Sequence, residues 1–78
     1  MPALSISPNP ATDFIAIQSP ELISRMMYLS IFDSPGRLAN RAFVTGDQLV
    51  DVSNLTPGMY TVKVAAGERV YAGRFVKQ

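Results

Sequence analysis

The chain has 78 residues, 47% of them hydrophobic and 17% charged, with a net charge of +1; it has the apolar content of one folded domain and is too short for two. It contains no cysteine and no histidine, which excludes disulfides, thiolate and imidazole metal sites, thiol nucleophiles and any Ser-His-Asp arrangement. Its seven basic residues are scattered rather than clustered as a nucleic-acid footprint would need, and no apolar run reaches the ~18 residues of a membrane span.

Residues 4–7 alternate apolar and polar, the pattern of a short half-buried strand. Pro8-Asn9-Pro10 interrupts it. Each proline fixes its own φ and lacks an N–H, and each pushes the residue before it, Ser7 or Asn9, into extended geometry. The segment can be neither helix nor central strand, and reads as a rigid corner leading to a second strand at 13–18, with Ile15 and Ile17 on one face. Between Gln18 and Arg25, Ser19-Pro20-Glu21 has the form of a first helical turn or of a plain loop. A third strand follows at 26–33, where Met27, Leu29 and Ile31 share a face.

Asp33-Ser34-Pro35-Gly36-Arg37 reads as a type II turn, with Pro35 presetting one central position and Gly36 supplying positive φ at the next. Strands at 38–44 and 48–51 come after it. Pro57-Gly58 repeats the device before a strand at 58–65, in which Tyr60, Val62 and Val64 point inward and Met59, Thr61 and Lys63 outward. Gly67 turns the chain into a last strand at 69–76. The phase of that strand is open: Phe75 and Val76 are both apolar, so either Gly73 marks a bulge or both faces are covered. Seven short strands with turn signals every ~8–12 residues predict an all-β antiparallel β-sandwich. Its core is expected from Ile15, Ile17, Leu29, Ile31, Val44, Val62 and Val64.

Without histidine or cysteine the six acids are the remaining titratable candidates for chemistry. Asp47 and Asp51 could share a calcium ion, but they lack the dense Asp/Asn/Gly spacing of a calcium loop and read better as solvated turn acids. No glycine-rich loop followed by lysine suggests phosphate binding. The expectation is no enzyme, no cofactor, no metal, no small-molecule substrate and no nucleic acid.

SPNPATDFIAI, LSIFDSPGR, DVSNLTPGMYTVKV and the closing RFVK, in that order, resemble the C-terminal sorting domain (type A) of proteins exported by the type IX, or Por, secretion system of Bacteroidota. The similarity runs from about Ile6 to Lys77. Single elements such as GMYTVKV occur in many sandwiches; the whole ordered array is what is specific. The resemblance implies an immunoglobulin-like sandwich that ends a cargo protein. The parent's own signal brings the cargo to the periplasm, and the outer-membrane translocon and its shuttle proteins then read the domain. In most members a surface sortase removes the domain and joins the cargo to anionic lipopolysaccharide, leaving the cargo on the cell surface or released. Because the family's cleavage site lies upstream of the sandwich, residues 1–5 read as the remainder of a linker or an added start, and 6–78 as the domain.

The recognition candidates that follow are Pro8, Asn9 and Pro10 at the corner, Asp33 and Arg37 bracketing the turn, and Arg74, Phe75, Val76 and Lys77 in the last strand. Pro35, Gly36, Pro57, Gly58 and Gly67 are assigned to turns, and Tyr60 to the core with its hydroxyl at the rim. The last strand is expected to offer an open edge and exposed terminal charges, a pairing hazard that a partner would cover; the same argument allows a weak homodimer by edge pairing. Two rival readings share the fold. A generic immunoglobulin- or fibronectin-like adhesion module differs only in where it sits in its parent. A carbohydrate-binding module would need aromatic platforms, and here there is no Trp while Tyr28, Phe32 and Tyr71 are scattered.

Overall fold

The computed structural model describes residues 4–19, 22 and 25–78. Its strands are β1 (Ser5–Ser7), β2 (Phe14–Gln18), β3 (Met26–Asp33), β4 (Leu38–Thr45), β5 (Leu49–Asp51), β6 (Gly58–Ala66) and β7 (Arg69–Lys77). They form two antiparallel sheets, β1-β2-β5 and β4-β3-β6-β7, packed as a sandwich. Compared with the constant-type immunoglobulin arrangement, the fourth strand has moved from the first sheet to the edge of the second, beside β3. The three-residue loop after Asp33 places it there, because so short a connection can join only neighbouring antiparallel strands. The expected helical turn at Ser19-Pro20-Glu21 lies mostly outside the described residues; Leu22, just after it, is fully buried between the sheets.

The core follows from period-two alternation. Ile15, Ile17, Leu29, Ile31, Val62 and Val64 are buried as expected, whereas Val44 is only partly covered because β4 is an edge strand. Tyr60 is buried too, as assigned, and residues beyond those expected complete the core: Leu4, Ile6, Ala11, Leu22, Met27, Val50, Val52, Ala66, Tyr71 and Phe75. Leu4 and Ser5 are thus built into the sandwich, Leu4 through its side chain and Ser5 through its pairing with Gln18.

The phase of the last strand is settled by its pairing. β6 and β7 run in unbroken register from Gly58↔Lys77 to Ala66↔Arg69, with no bulge. Tyr71, Gly73, Phe75 and Lys77 therefore face inward, and Val70, Ala72, Arg74 and Val76 outward. Gly73 is needed for another reason: a Cβ there would lie 2.9 Å from the Leu4 carbonyl oxygen, because the chain at Leu4 passes directly over it. The register slip of this sheet is in β4, where Ile31 faces Asn40 but Phe32 faces Leu38, so Ala39 is the extra residue.

The turns differ from expectation in detail. Gly36 N–H donates to Asp33 O at 2.9 Å, so the reversal has Ser34 and Pro35 at its centre and Gly36 closing it at φ +95°, one place later than a type II turn would put them. Asp33 N–H to Arg37 O at 2.9 Å then restarts the ladder, the three-residue hairpin pattern with glycine at the left-handed position. Pro57-Gly58 makes no such turn. The reversal lies upstream, where Leu55 N–H donates to Val52 O at 3.1 Å, and Gly58 is already the first residue of β6. The Asp51 carboxylate, bonded to both the N–H and hydroxyl of Ser53, fixes the turn at that earlier place. Gly67, at φ +63°, opens a two-residue hairpin between the paired Ala66 and Arg69, as expected.

Two stability outcomes follow. Val62→Ala removes two methyl groups from a fully buried site and should cost about 1–3 kcal/mol in chemical denaturation. Gly46→Ala should cost as much or more, because a Cβ at this buried position would collide with the Leu22 carbonyl, whereas none of the same crowding exists at Gly36. Equal melting temperatures for Gly46→Ala and the parent would show that the Leu22 segment can yield.

Candidate functional site

The four segments that carry the sequence pattern meet at one end of the sandwich. The corner at Pro8-Asn9-Pro10 carries the chain from β1 to β2 across the end of β7. There the Asn9 side-chain oxygen accepts the Val76 N–H at 2.9 Å, from 67 positions away in sequence. Ala11 N–H donates to Val76 O at 2.7 Å, and Gln78 N–H donates to Ala11 O at 2.9 Å, forming a parallel bridge between Ala11 and Lys77. Ala11 is fully buried beneath this contact. The prolines suit the place: a residue with no N–H leaves no donor unmet in a segment whose bonds are made by Asn9 and Ala11.

The open terminal edge expected from the sequence is therefore occupied. β6 holds one side of β7, and the 9–11 segment holds the other at Val76 and Gln78, with Leu4 N–H bonded to Ala72 O at 2.8 Å further along. Two of the recognition candidates are also inside. Phe75 is fully buried, its ring stacked on Tyr60 with centroids 5.5 Å apart and planes 18° from parallel. Lys77 is only 7% exposed, and its Nζ donates to the Gln78 backbone oxygen at 3.1 Å. The reason is parity: Lys77 shares the inward face with Phe75 and Tyr71, so it is not the free terminal charge expected. Arg74 and Val76 face outward, and Pro8, Asn9 and Pro10 are exposed.

The two turn motifs lie next to each other at this end, through the pairing of Asp33 with Tyr60. Asp33 braces its own hairpin: one carboxylate oxygen accepts the Arg37 N–H at 2.8 Å and the other accepts Arg37 Nε at 3.2 Å. The ion pair expected across the turn is thus present. Arg37 is 80% exposed, so the charge attraction is worth at most ~1 kcal/mol, and the backbone bond does more to set the loop. Opposite, the Tyr60 hydroxyl donates to the Thr56 carbonyl at 2.6 Å, so the ring is core and its oxygen ties down the preceding corner. This is the arrangement of the tyrosine corner of immunoglobulin-like domains. A shallow cleft of about 210 Å³ runs between the two motifs, with Ser34, Pro35 and Arg37 on one wall and Pro57, Gly58 and Met59 on the other.

Among the described residues no three His, Cys, Asp or Glu side chains gather as metal ligands. Asp47 and Asp51 serve separate turns: Asp47 accepts the Thr45 hydroxyl at 2.6 Å, and the bonds from Ser53 hold the Asp51 carboxyl below its usual range. The end presents an exposed proline corner, an exposed guanidinium and a shallow cleft between the Asp33–Arg37 hairpin and the start of β6.

Substitutions in β7 should separate by parity. Lys77→Glu puts a carboxylate where an amine met a backbone oxygen, and should cost about 1–3 kcal/mol. Arg74→Glu, outward on the same strand, should stay within ~0.5 kcal/mol of the parent. Thermal melts of the two variants check the assignment, and a reversed order would contradict the register. Tyr60→Phe leaves the Thr56 carbonyl without its donor and should cost about 1 kcal/mol.

A family model described as a secretion system C-terminal sorting domain matches residues 5–78, nearly the whole chain. No curated protein matches it. The matched span takes in the proline corner, both turn motifs and β7 together. The chain belongs to the family of C-terminal sorting domains of the type IX secretion system.

Proposed function

We propose that this domain directs its parent cargo through the outer-membrane type IX translocon, and that the translocon or its shuttle proteins read the folded end where the proline corner, the two turn motifs and the close of β7 meet. The observation that carries this reading is the bond from Val76 N–H to the Asn9 side chain, which joins segments 67 positions apart into one surface. A signal spread over the sequence in this way is legible only when folded. Pro8, Pro10 and Arg37 form its exposed part, with Arg74 and Val76 alongside on the outward face of β7. Phe75, Lys77 and Tyr60 support it from within.

The cargo reaches the periplasm by a separate signal on the parent, and the resemblance supports later removal of the domain by a surface sortase with attachment of the cargo to anionic lipopolysaccharide. Deleting residues 74–78 is a poor test of recognition, because it takes Phe75 out of the core and unfolds the reader's surface together with the sandwich.

The experiment is a fusion of the chain to an inert periplasmic reporter in a Bacteroidota host, followed by cell fractionation. The wild-type fusion should appear at the surface or in the medium, and Arg37→Ala should lower export severalfold with an unchanged melting temperature, since that side chain is mostly solvent-exposed. A wild-type fusion retained in the periplasm would favour an adhesion module and sink the reading. Full export of Arg37→Ala would remove the cleft from the recognised surface.

A further inference from the structure

The outward face of the four-stranded sheet is organised in rows set by its register. One row is Phe43–Tyr28–Ala65–Val70, wholly apolar or aromatic, with the Phe43 and Tyr28 rings 4.9 Å apart and Phe43 72% exposed. The next is Arg41–Ser30–Lys63–Ala72, and the one after it Leu38–Phe32–Thr61–Arg74. The last is Met59–Val76. Of the eight large apolar side chains left exposed among the described residues, six are on this face, Phe14 and Leu49 being the exceptions. Exposed apolar side chains gathered on one face rather than scattered over the surface mark an interaction surface.

Charge is sorted in the same way. None of these rows contains a carboxylate, while Arg41, Lys63 and Arg74 stand on three different strands. Everything else in the chain carries four basic residues against six acidic ones. A face with three positive charges on a chain of net +1 leaves the remainder negative. Lys63 Nζ sits 5.6 Å above the Phe32 ring, and no carboxylate pairs with Arg41, Lys63 or Arg74 among the described residues.

We infer that this face is a second interaction surface, adjoining the end that joins the motifs at Met59, Arg74 and Val76, and that its partner is an acidic, partly apolar protein segment. Arg41 and Lys63 lie between the Phe43–Tyr28–Ala65–Val70 row and the Leu38–Phe32 pair, so a segment whose carboxylates meet them places its apolar side chains on either side. Two other occupants fit less well. A second copy laid face to face would set like charges opposite one another, which is unfavourable. A bilayer needs its apolar groups deeper than its cations. Here lysine and arginine, the longer side chains, rise from the same sheet face as phenylalanine, leucine and methionine, which is the reverse order.

The test uses the isolated chain in vitro, so its outcome is independent of export. The probe is a random copolymer of glutamate and tyrosine, with polyglutamate of equal length and vesicles of phosphatidylglycerol in phosphatidylcholine as comparisons. The copolymer should bind and shift backbone amide resonances of β3, β4, β6 and β7, more tightly than polyglutamate, and less tightly as salt rises. Arg41→Glu with Lys63→Glu should weaken it by about fivefold or more while leaving the melting temperature unchanged. Phe43→Ser should weaken the copolymer but not polyglutamate. The inference is overturned if the double variant binds as well as the parent, if polyglutamate equals the copolymer, or if only vesicles bind. It is equally overturned if sedimentation shows a dimer that the copolymer cannot displace.

Discussion

The contact between the segment at 9–11 and β7 is the constraint on which the rest of the molecule depends. A sandwich of seven short strands has four sheet edges to protect, and its last strand would ordinarily carry one of them. Here that edge is filled by the Asn9 side chain and the Ala11 backbone, using a segment that has already left β1 and not yet entered β2, its neighbour in the other sheet. With β7 held on both sides, Phe75 can be fully buried against Tyr60, and Tyr60 can anchor Thr56. That fixes the approach of the second turn motif to Asp33 and Arg37. Remove the first contact and each later one loses the geometry it relies on.

Much of this was legible in the sequence because alternation is local. The strands could be placed to within a residue or two, and six of the seven expected core residues are buried, since each strand reports its own inward face. The errors came where a distant backbone decides. Gly73 looked like a candidate bulge, yet it is glycine because Leu4 crosses it, and the crossing partner is nearly the whole chain away. Gly46 drew no notice for the same reason, its neighbour being Leu22. The turn at Pro57-Gly58 was misplaced because a side chain, Asp51, captures Ser53 and makes the reversal early.

Lys77 is the instructive case at the recognition end. It shares a face with Phe75, Gly73 and Tyr71, but the sequence left the phase of that strand open, and only the unbroken pairing with β6 turns that face inward. Asn9 could be picked as a candidate but not its role, because nothing local says that its amide oxygen will meet Val76. The exposed and supporting residues of the candidate surface therefore divide by parity and burial, not by their place in a motif. This is why the same short stretch, RFVK, contributes two side chains to the interior and two to the outside.

The direction of the clasp has a mechanical consequence. From Leu4 to Ala11 the chain advances alongside Ala72 to Gln78 in the same sense, bonded at Leu4 and Ala72 and again at Ala11 with Val76 and Gln78. Tension applied at the Leu4 end and resisted at the Gln78 end draws these two segments lengthwise past each other. The bonds lie across that pull, so the load falls on them together in shear instead of peeling them one after another.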